Sequence, residues 1–211
     1  MSGANIDIGY IVVSLAAFLV AITVHEYAHA RAALAAGDDT AKLAGRVSLN
    51  PIKHLDPVGT VFLLLMIIRG FPIAWGKPVP INSYNFKNPR WDSLKVSLWG
   101  PLSNVITAFA LGLMFRWLVV PIAPAYAEFF GKCILINLAL AFFNLIPVPP
   151  LDGAHILSSL LPIEMAREYN SVLSRYGIMI LIVVLITGIP SLIILPPVKI
   201  LFTLFTGYRL V

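Results

Sequence analysis

Two histidines and a glutamate stand together in the first apolar stretch of the chain, in the pentapeptide His25-Glu26-Tyr27-Ala28-His29. Histidines four positions apart lie on one face of a helix, so both imidazoles can bind the same metal ion. A glutamate that directly follows the first histidine can reach a water molecule beside that ion and act as a general base. The pattern predicts a hydrolytic metal centre with His25 and His29 as ligands and Glu26 as proton acceptor.

The position of this motif in an apolar helix favours a functional role. An uncharged run from Ile8 to Val24 leads into it, and alanine-rich sequence continues to about Ala36. A helix over 8–36 would extend roughly 43 Å, which is enough to cross a bilayer. Each ionisable side chain inside a spanning helix costs about 2.5–3.5 kcal/mol. The alternative is that the motif lies just beyond the hydrocarbon and marks the membrane interface.

Asp152 is the candidate for a third metal ligand. Catalytic zinc takes three protein ligands and keeps one position open. Asp152 stands alone at the end of the apolar run Cys133–Leu151, and the prolines between Asn144 and Asp152 prevent regular helix. Broken backbone at membrane depth is tolerated where it is buried in protein or lines a wet cavity. Capping of a helix N-terminus is an alternative role for Asp152, and it is compatible with metal binding.

The remaining histidines and the cysteine fit supporting roles better. His155 could share a helix face with Asp152, as a ligand or, more often, as a group that supports the ligands. His54 lies in a polar loop, where we expect it to hold a turn. Cys133 is the one cysteine of the chain. It excludes a disulfide framework, and we expect an inert buried thiol.

The composition requires a membrane setting for these groups. Of the 211 residues, 59% are apolar and 12% are charged, about half the charged fraction of a soluble domain. The mean hydropathy is +0.88. Soluble and intrinsically disordered classes are thereby excluded. The net charge of +5 is spread through loops, so we expect contact with a lipid bilayer and no nucleic-acid partner.

The apolar runs predict an all-α polytopic membrane protein with about four to six transmembrane helices. Besides the first helix, the candidate spans are Val96–Phe115, Cys133–Leu151 (beginning near Glu128) and Tyr176–Val198, with apolar sequence continuing to Tyr208. We expect Gly188-Ile189-Pro190 to divide that last stretch into two helices or a hairpin. A single domain is expected over 1–211, with its core in 8–161 and C-terminal hydrophobic helices in 176–208.

Shorter features lie between these spans. Val58 to Ile68 is apolar but only 11 residues long, which predicts a re-entrant or interfacial segment. The stretches near 43–49 and 78–81 are interpreted as small β-strand elements in loops. An exposed strand edge there could pair with an extended substrate segment.

Three sequence blocks together resemble the site-2 proteases, which are intramembrane zinc metalloproteases. They are the HEYAH pentapeptide, Gly100-Pro101-Leu102-Ser103-Asn104, and the run from Phe143 to Gly153. Their order and approximate spacing agree with the family over most of the chain, from about Ile8 to Leu161. No room is seen for an appended soluble domain, so the chain resembles the short, minimal subgroup.

The resemblance implies one Zn²⁺ per chain held by His25, His29 and Asp152, with Glu26 as catalytic acid and base. It also places Asn144 near the zinc, where the amide could bind the scissile carbonyl or its oxyanion. Two further buried amides, Asn104 and Asn137, would support the ligands or join helices through hydrogen bonds.

A shared metal also constrains topology. The C-terminal ends of the first helix and of the helix before Asp152 must face the same side of the membrane, together with the polar loops 37–57 and 69–95. These loops carry three and five Lys/Arg residues. The positive-inside bias then predicts that this side is cytoplasmic and that the active site lies nearer the cytoplasm. The expected location is a prokaryotic plasma membrane.

The expected function is zinc-dependent hydrolysis of transmembrane or membrane-adjacent segments of membrane-protein substrates, as in regulated intramembrane proteolysis. A membrane protein that binds or transports a divalent metal with the same three residues is the main alternative. A zinc-bound pseudoprotease that acts as a scaffold is another. Glu26→Gln discriminates, because it should abolish proteolysis with zinc still bound, whereas metal transport need not change.

Overall fold

Nine α-helices cover most of residues 7–69 and 75–210, which are the residues that the computed structural model describes. Short 3-10 turns and one π-helical turn, Phe115–Val119, connect or extend them. In chain order the helices are α1 (Ile8–Ala36), α2 (Thr40–Leu43), α3 (Pro57–Arg69), α4 (Pro89–Met114), α5 (Val120–Ile122), α6 (Ala127–Asn144), α7 (Asp152–Leu160), α8 (Ile163–Ile186) and α9 (Ile189–Thr206).

Within the described residues, five helical stretches are long and apolar enough to cross a membrane. This number confirms the predicted all-α polytopic membrane protein with four to six spans. They are Ile8–Ala36, Pro89–Ile122, Pro124–Asn144, Ile163–Ile186 and Ile189–Thr206.

The first span has a defined beginning and end. The carboxylate of Asp7 accepts the backbone N–H of Tyr10 at 3.1 Å, which caps the N-terminus of α1. Gly37 ends the helix with φ of 108°, a left-handed conformation that favours glycine. The sequence prediction of a helix from Ile8 to Ala36 is therefore confirmed.

Helices α1, α4 and α6 pack against one another and form the frame of the molecule. Ala108 of α4 and Ile134 and Leu138 of α6 are fully buried. The side chains of Val198 and Phe202 from α9 complete this cluster. This cluster joins α4 to α6 and α9, and α1 packs on both α4 and α6, which fixes the relative positions of α1 and α4 for the site described below.

Helix α3 is too short to span a bilayer and packs against α1. Its Leu63 is 1% exposed and contacts Phe18 and Ile22. The sequence predicted a re-entrant or interfacial segment here, and a 13-residue apolar helix agrees in length. The residues that follow it in the loop 69–95, 70–74, lie outside the described ranges.

The small β-strands predicted near 43–49 and 78–81 are wrong, because the described residues form no strand ladder. Leu43 ends α2, and the chain then turns at Gly45, where φ is 66°. Leu43 and Leu49 are 79% and 60% exposed, so the alternating pattern buries no face. The 78–81 stretch is extended, but its polar groups bond to side chains instead of a neighbouring strand.

Of two predicted boundaries, one moves for a local reason and one is confirmed. Helix α6 ends at Asn144 rather than Leu151, because the prolines after it cannot continue a helix. The predicted break in the C-terminal apolar stretch is confirmed at Gly188, whose φ of 71° separates α8 from α9.

Candidate metal centre

The structure brings His25, His29 and Asp152 together although α1 and α7 are far apart in sequence. One nitrogen or oxygen of each side chain lies within 4.8 Å of the others. His25 Nε2 is 3.1 Å from Asp152 Oδ2, and His29 Nε2 is 3.3 Å from Asp152 Oδ1. The two Nε2 atoms are 3.0 Å apart. Both histidines are buried, with 3% and 6% exposure.

A chain of amide hydrogen bonds determines which nitrogen of His25 carries the proton. The Asn137 amide donates to Cys133 O at 2.8 Å, so its oxygen is free to accept. Asn104 donates through Nδ2 to that oxygen at 2.8 Å and to Ala21 O at 2.9 Å. Its own oxygen, 2.7 Å from His25 Nδ1, must therefore accept a hydrogen bond from the Nδ1–H of the imidazole. His25 Nε2 is consequently left with a free lone pair.

His29 is oriented by the backbone of α4. Its Nδ1 lies 2.8 Å from Val96 O, and a carbonyl oxygen can only accept, so Nδ1 carries the proton and Nε2 has a lone pair. Gly100 packs against the same rings. A Cβ atom at this position would lie 2.3 Å from His29 Nε2 and 2.8 Å from His25 Cε1. The absence of a side chain at Gly100 is what allows α4 to approach both imidazoles.

The three side chains fit a zinc ion. Two imidazole lone pairs and a carboxylate converge. Two neutral Nε2 atoms do not attract each other at 3.0 Å, so a shared cation accounts for their closeness. Asp152 Oδ2 is buried without a hydrogen-bond donor in the described part of the chain. Bonds of about 2.0–2.1 Å to a tetrahedral zinc place ligand atoms about 3.3 Å apart. The observed separations of 3.0–3.3 Å approach that value.

The connection between α6 and α7 sets the position of Asp152. Gly153 lies so close to this connection that a Cβ atom would be 2.3 Å from Leu145 O. At the other end of α7, the Arg90 guanidinium of α4 donates to Ser159 O and Leu161 O at 2.8 and 2.7 Å. Asp152 is the first residue of α7, and Leu151 is its N-cap, so Asp152 does not occupy the alternative position of N-cap.

Glu26 lies beside the triad and has one backbone partner. It is 8% exposed, and its Oε2 accepts the N–H of Val79 at 2.9 Å. Val79 belongs to the extended stretch 78–81, which passes along α1. This contact leaves Oε1 without a donor among the described residues.

Two other candidates make different contacts. The Asn144 amide donates to Leu140 O at 3.0 Å, inside its own helix. His155 is exposed and lines a cavity of about 300 Å³ together with Val79 and Val96. Within the described ranges, no hydrogen bond joins Asn144 or His155 to His25, His29 or Asp152.

Neither of the two remaining side chains enters the site. His54 is fully buried, and its Nε2–H donates to Ser48 O at 2.7 Å, which holds the loop after α2. Cys133 is a free, buried cysteine, and its carbonyl anchors the amide chain described above.

Sequence reasoning identified the three converging side chains but missed the backbone groups around them. The carbonyl of Val96 and the N–H of Val79 carry no residue-type signal, because every residue except proline has both groups. Gly100 and Asn104 did carry a signal, since both belong to the middle block of the resemblance. Arg46, whose side chain binds the carbonyls of Lys77 and Pro78, looked in the sequence like one basic residue among several in a loop.

Comparisons with known proteins place the chain in a family. The sequence model of peptidase family M50 matches residues 120–184. A Bacillus subtilis protein named "Putative zinc metalloprotease YwhC" is 40% identical over 194 residues, which are 89% of this chain and 84% of the relative. Rip2 of Mycolicibacterium smegmatis, whose name has the same description, is 30% identical over 85% of this chain and 69% of its own.

A third relative, stage IV sporulation protein FB of Bacillus subtilis, is 28% identical over 52% of this chain and 38% of its own length. No solved structure matches the chain. The extent and identity of the first two matches favour the protease interpretation over metal transport. These matches agree with the geometry of the centre between α1 and α7. The chain is a member of peptidase family M50, the site-2 protease family of zinc metalloproteases.

Proposed function

We propose that this intramembrane zinc metalloprotease cleaves membrane proteins within or beside their transmembrane segments, using the centre between α1 and α7. The observation that carries the proposal is the convergence of His25, His29 and Asp152 at 3.0–3.3 Å, with Glu26 beside them on an apolar helix. The three ligands hold one zinc ion per chain. When bound, zinc supplies Lewis-acid chemistry, which polarises a peptide carbonyl and makes water a better nucleophile near neutral pH.

Glu26 handles the proton. Its Oε2 is held by the Val79 N–H, so Oε1 is the oxygen that takes a proton from the attacking water. The same carboxyl then gives that proton to the amine nitrogen that leaves when the peptide bond breaks. One group thus serves as base and acid in turn, which accounts for a single carboxylate beside the three ligands.

Asn144 is a candidate for binding the scissile carbonyl oxygen as negative charge develops there. One amide hydrogen bonds to Leu140 O, and the amide has a second hydrogen to donate. Such a donor typically contributes about 10²–10³-fold to the rate. Asn104 and Asn137 support the ligands by fixing the tautomer of His25. His155 lines the neighbouring cavity without contacting the ligands.

The proposed location follows from the polar loops. The Lys/Arg-rich loops 37–57 and 69–95 adjoin the C-terminal end of α1. By the positive-inside bias, this end of α1 faces the cytoplasm of a prokaryotic cell, and the metal centre lies nearer that side. Residues 1–211 act as one protease domain, with the C-terminal helices of 176–208 packed on the 8–161 core through α9.

Glu26→Gln is the test of this function. We expect the variant to keep its zinc, measured by elemental analysis of the purified protein, and to lose peptide hydrolysis completely. Membrane proteomes of cells with wild-type and Glu26→Gln protein should differ by at least one uncleaved membrane protein that co-purifies with the variant. Identical proteomes, with zinc bound to both proteins, would count against the protease function.

A further inference from the structure

Arg46 is a buried cation in the loop that follows α2. Its side chain is 6% exposed, and its guanidinium donates to two consecutive carbonyls, Lys77 O and Pro78 O, the latter at 3.1 Å. It also lies 3.4 Å from His54 Nδ1. The Nε–H has no acceptor in the described part of the chain. Because burying an incompletely paired charge costs stability, the arrangement favours a functional reason for this arginine.

The peptide unit between Pro78 and Val79 lies between Arg46 and Glu26. Its carbonyl accepts from the guanidinium at 3.1 Å, and its N–H donates to Glu26 Oε2 at 2.9 Å. The C=O and N–H of a trans peptide point in opposite directions, so one backbone unit connects the two charges. Hydrogen bonds in such a chain polarise one another in a low-dielectric environment.

The backbone around this unit is fixed at further points. Lys77 N–H donates to His54 O at 2.8 Å, and Asn82 N–H donates to the Asp38 carboxylate at 2.7 Å. Burial lowers the pKa of the Arg46 guanidinium, and the negative charge of Glu26 opposes that change. The stretch 77–82 is therefore held by hydrogen bonds on both sides of Val79. Arg46 is the side chain that binds the two carbonyls before Val79, those of Lys77 and Pro78.

We propose that Arg46 is a positioning residue for Glu26, acting through the Pro78–Val79 peptide. By holding the carbonyls of Lys77 and Pro78, Arg46 aims the Val79 N–H at Glu26 Oε2 and thereby keeps Oε1 directed to the reacting water. The inference rests on the proposed protease function. It adds a residue that touches neither zinc nor substrate but sets the geometry of the proton acceptor.

The test uses full-length, zinc-loaded protein and, as substrate, a tagged version of the transmembrane segment captured by the Glu26→Gln protein. For Arg46→Gln we expect kcat to fall about 10–100-fold, since misplacement of a reacting group by about 1 Å can cost 10²-fold. KM and zinc content should stay within about twofold, because Arg46 contacts neither the substrate nor a metal ligand. Hydrogen exchange of the amides in 77–82 should accelerate, which is measured without any substrate.

Arg46→Lys should recover part of kcat, since an ammonium group can bind one of the two carbonyls but lacks the planar fork that binds both. If Arg46→Gln does not fold, Arg46→Lys tests the same inference, with a smaller expected fall in kcat. Lys53→Gln is the matched control, because Lys53 is a cation of the same loop whose Nζ donates to the exposed Gly45 O at 3.0 Å. This control should leave kcat and amide exchange unchanged.

An unchanged kcat in Arg46→Gln would overturn the inference and leave the proposed function intact. A parallel loss of zinc and kcat would also overturn it, because Arg46 would then only support the fold. Unchanged exchange in 77–82 would show that Arg46 does not hold this backbone, with the same consequence. Failure of the protease function has a different signature, since wild-type protein itself would not cleave the segment.

Discussion

At the scale of single residues, the amide of Asn104 links the helix frame to the chemistry. Metal ions bind only an unprotonated imidazole nitrogen, and Asn104 keeps the His25 proton on Nδ1 by accepting a hydrogen bond from Nδ1–H at 2.7 Å. It can do so in one orientation only, because its own N–H groups are committed to Ala21 O and Asn137. A buried asparagine that joins helices is thus also the group that prepares a ligand.

Asn104→Leu should weaken zinc binding about 10–100-fold, the usual effect of removing a group that orients a histidine ligand. A titration of the purified protein against a chromogenic zinc chelator measures the change. Asn170→Leu is the control, since the exposed amide of Asn170 donates only to Ser158 Oγ at 2.8 Å. An unchanged zinc dissociation constant in Asn104→Leu would show that Asn104 does not determine the tautomer of His25.

At the scale of elements, one carboxylate ties the stretch before α4 to the end of α1. Asp38 is fully buried and accepts hydrogen bonds from Thr40, from Asn82 N–H and from the Asn85 amide. Burial alone would raise the pKa of this carboxyl, but these hydrogen bonds outweigh it and hold the pKa below its usual range. Because the folded pKa is lowered, the stabilisation is complete above the unfolded pKa of about 3.9 and is lost as pH falls through the folded value.

Amide protection in 82–85, corrected for intrinsic exchange, should therefore stay constant from pH 7 down to about pH 4 and decrease at lower pH. Asp38→Asn should lower this protection about tenfold at neutral pH, because hydrogen bonds to a charged acceptor are worth about 1.5–3 kcal/mol. Asp39→Asn is the neighbouring control, since Asp39 is exposed and makes no side-chain cap. A decrease that begins well above pH 4 would assign the effect to another group.

Sequence predicted the elements better than the connections between them. Helix α1 and the break at Gly188 follow from local rules on apolar runs, caps and glycine, so their positions could be predicted. The strand near 43–49 was wrong because alternation predicts a strand only where a partner strand exists, and none does in the described ranges. The contact of Val79 with Glu26 depends on tertiary packing between distant segments, which no local pattern contains.

For the whole molecule, the proposed ligands come from two helices that are otherwise joined through α4 and α6. An ion bound by His25, His29 and Asp152 links α1 directly to α7 and stabilises only the folded protein. At a free zinc concentration of 100 times Kd the linkage is worth about 2.7 kcal/mol. For a chain of this size that corresponds to a rise in Tm of roughly 5–10 °C.

Chelation of the metal should therefore lower Tm by roughly 5–10 °C, as measured by thermal unfolding in detergent. His29→Ala should start from the lower Tm and show no further decrease with chelator. His155→Ala should behave as wild type, since His155 lies outside the triad. An equal shift in His29→Ala would indicate that the stabilising metal binds elsewhere.

The wide spacing of the triad along the chain also has a consequence for biosynthesis. His25 and His29 belong to the first helix, whereas Asp152 lies beyond the third spanning stretch, so most of the polypeptide must be made before the three groups can meet. A nascent chain that has inserted only α1 carries two histidines and a glutamate but no complete cage. The ribosome-bound intermediate therefore lacks the complete proposed metal site until α7 has emerged and packed on α4.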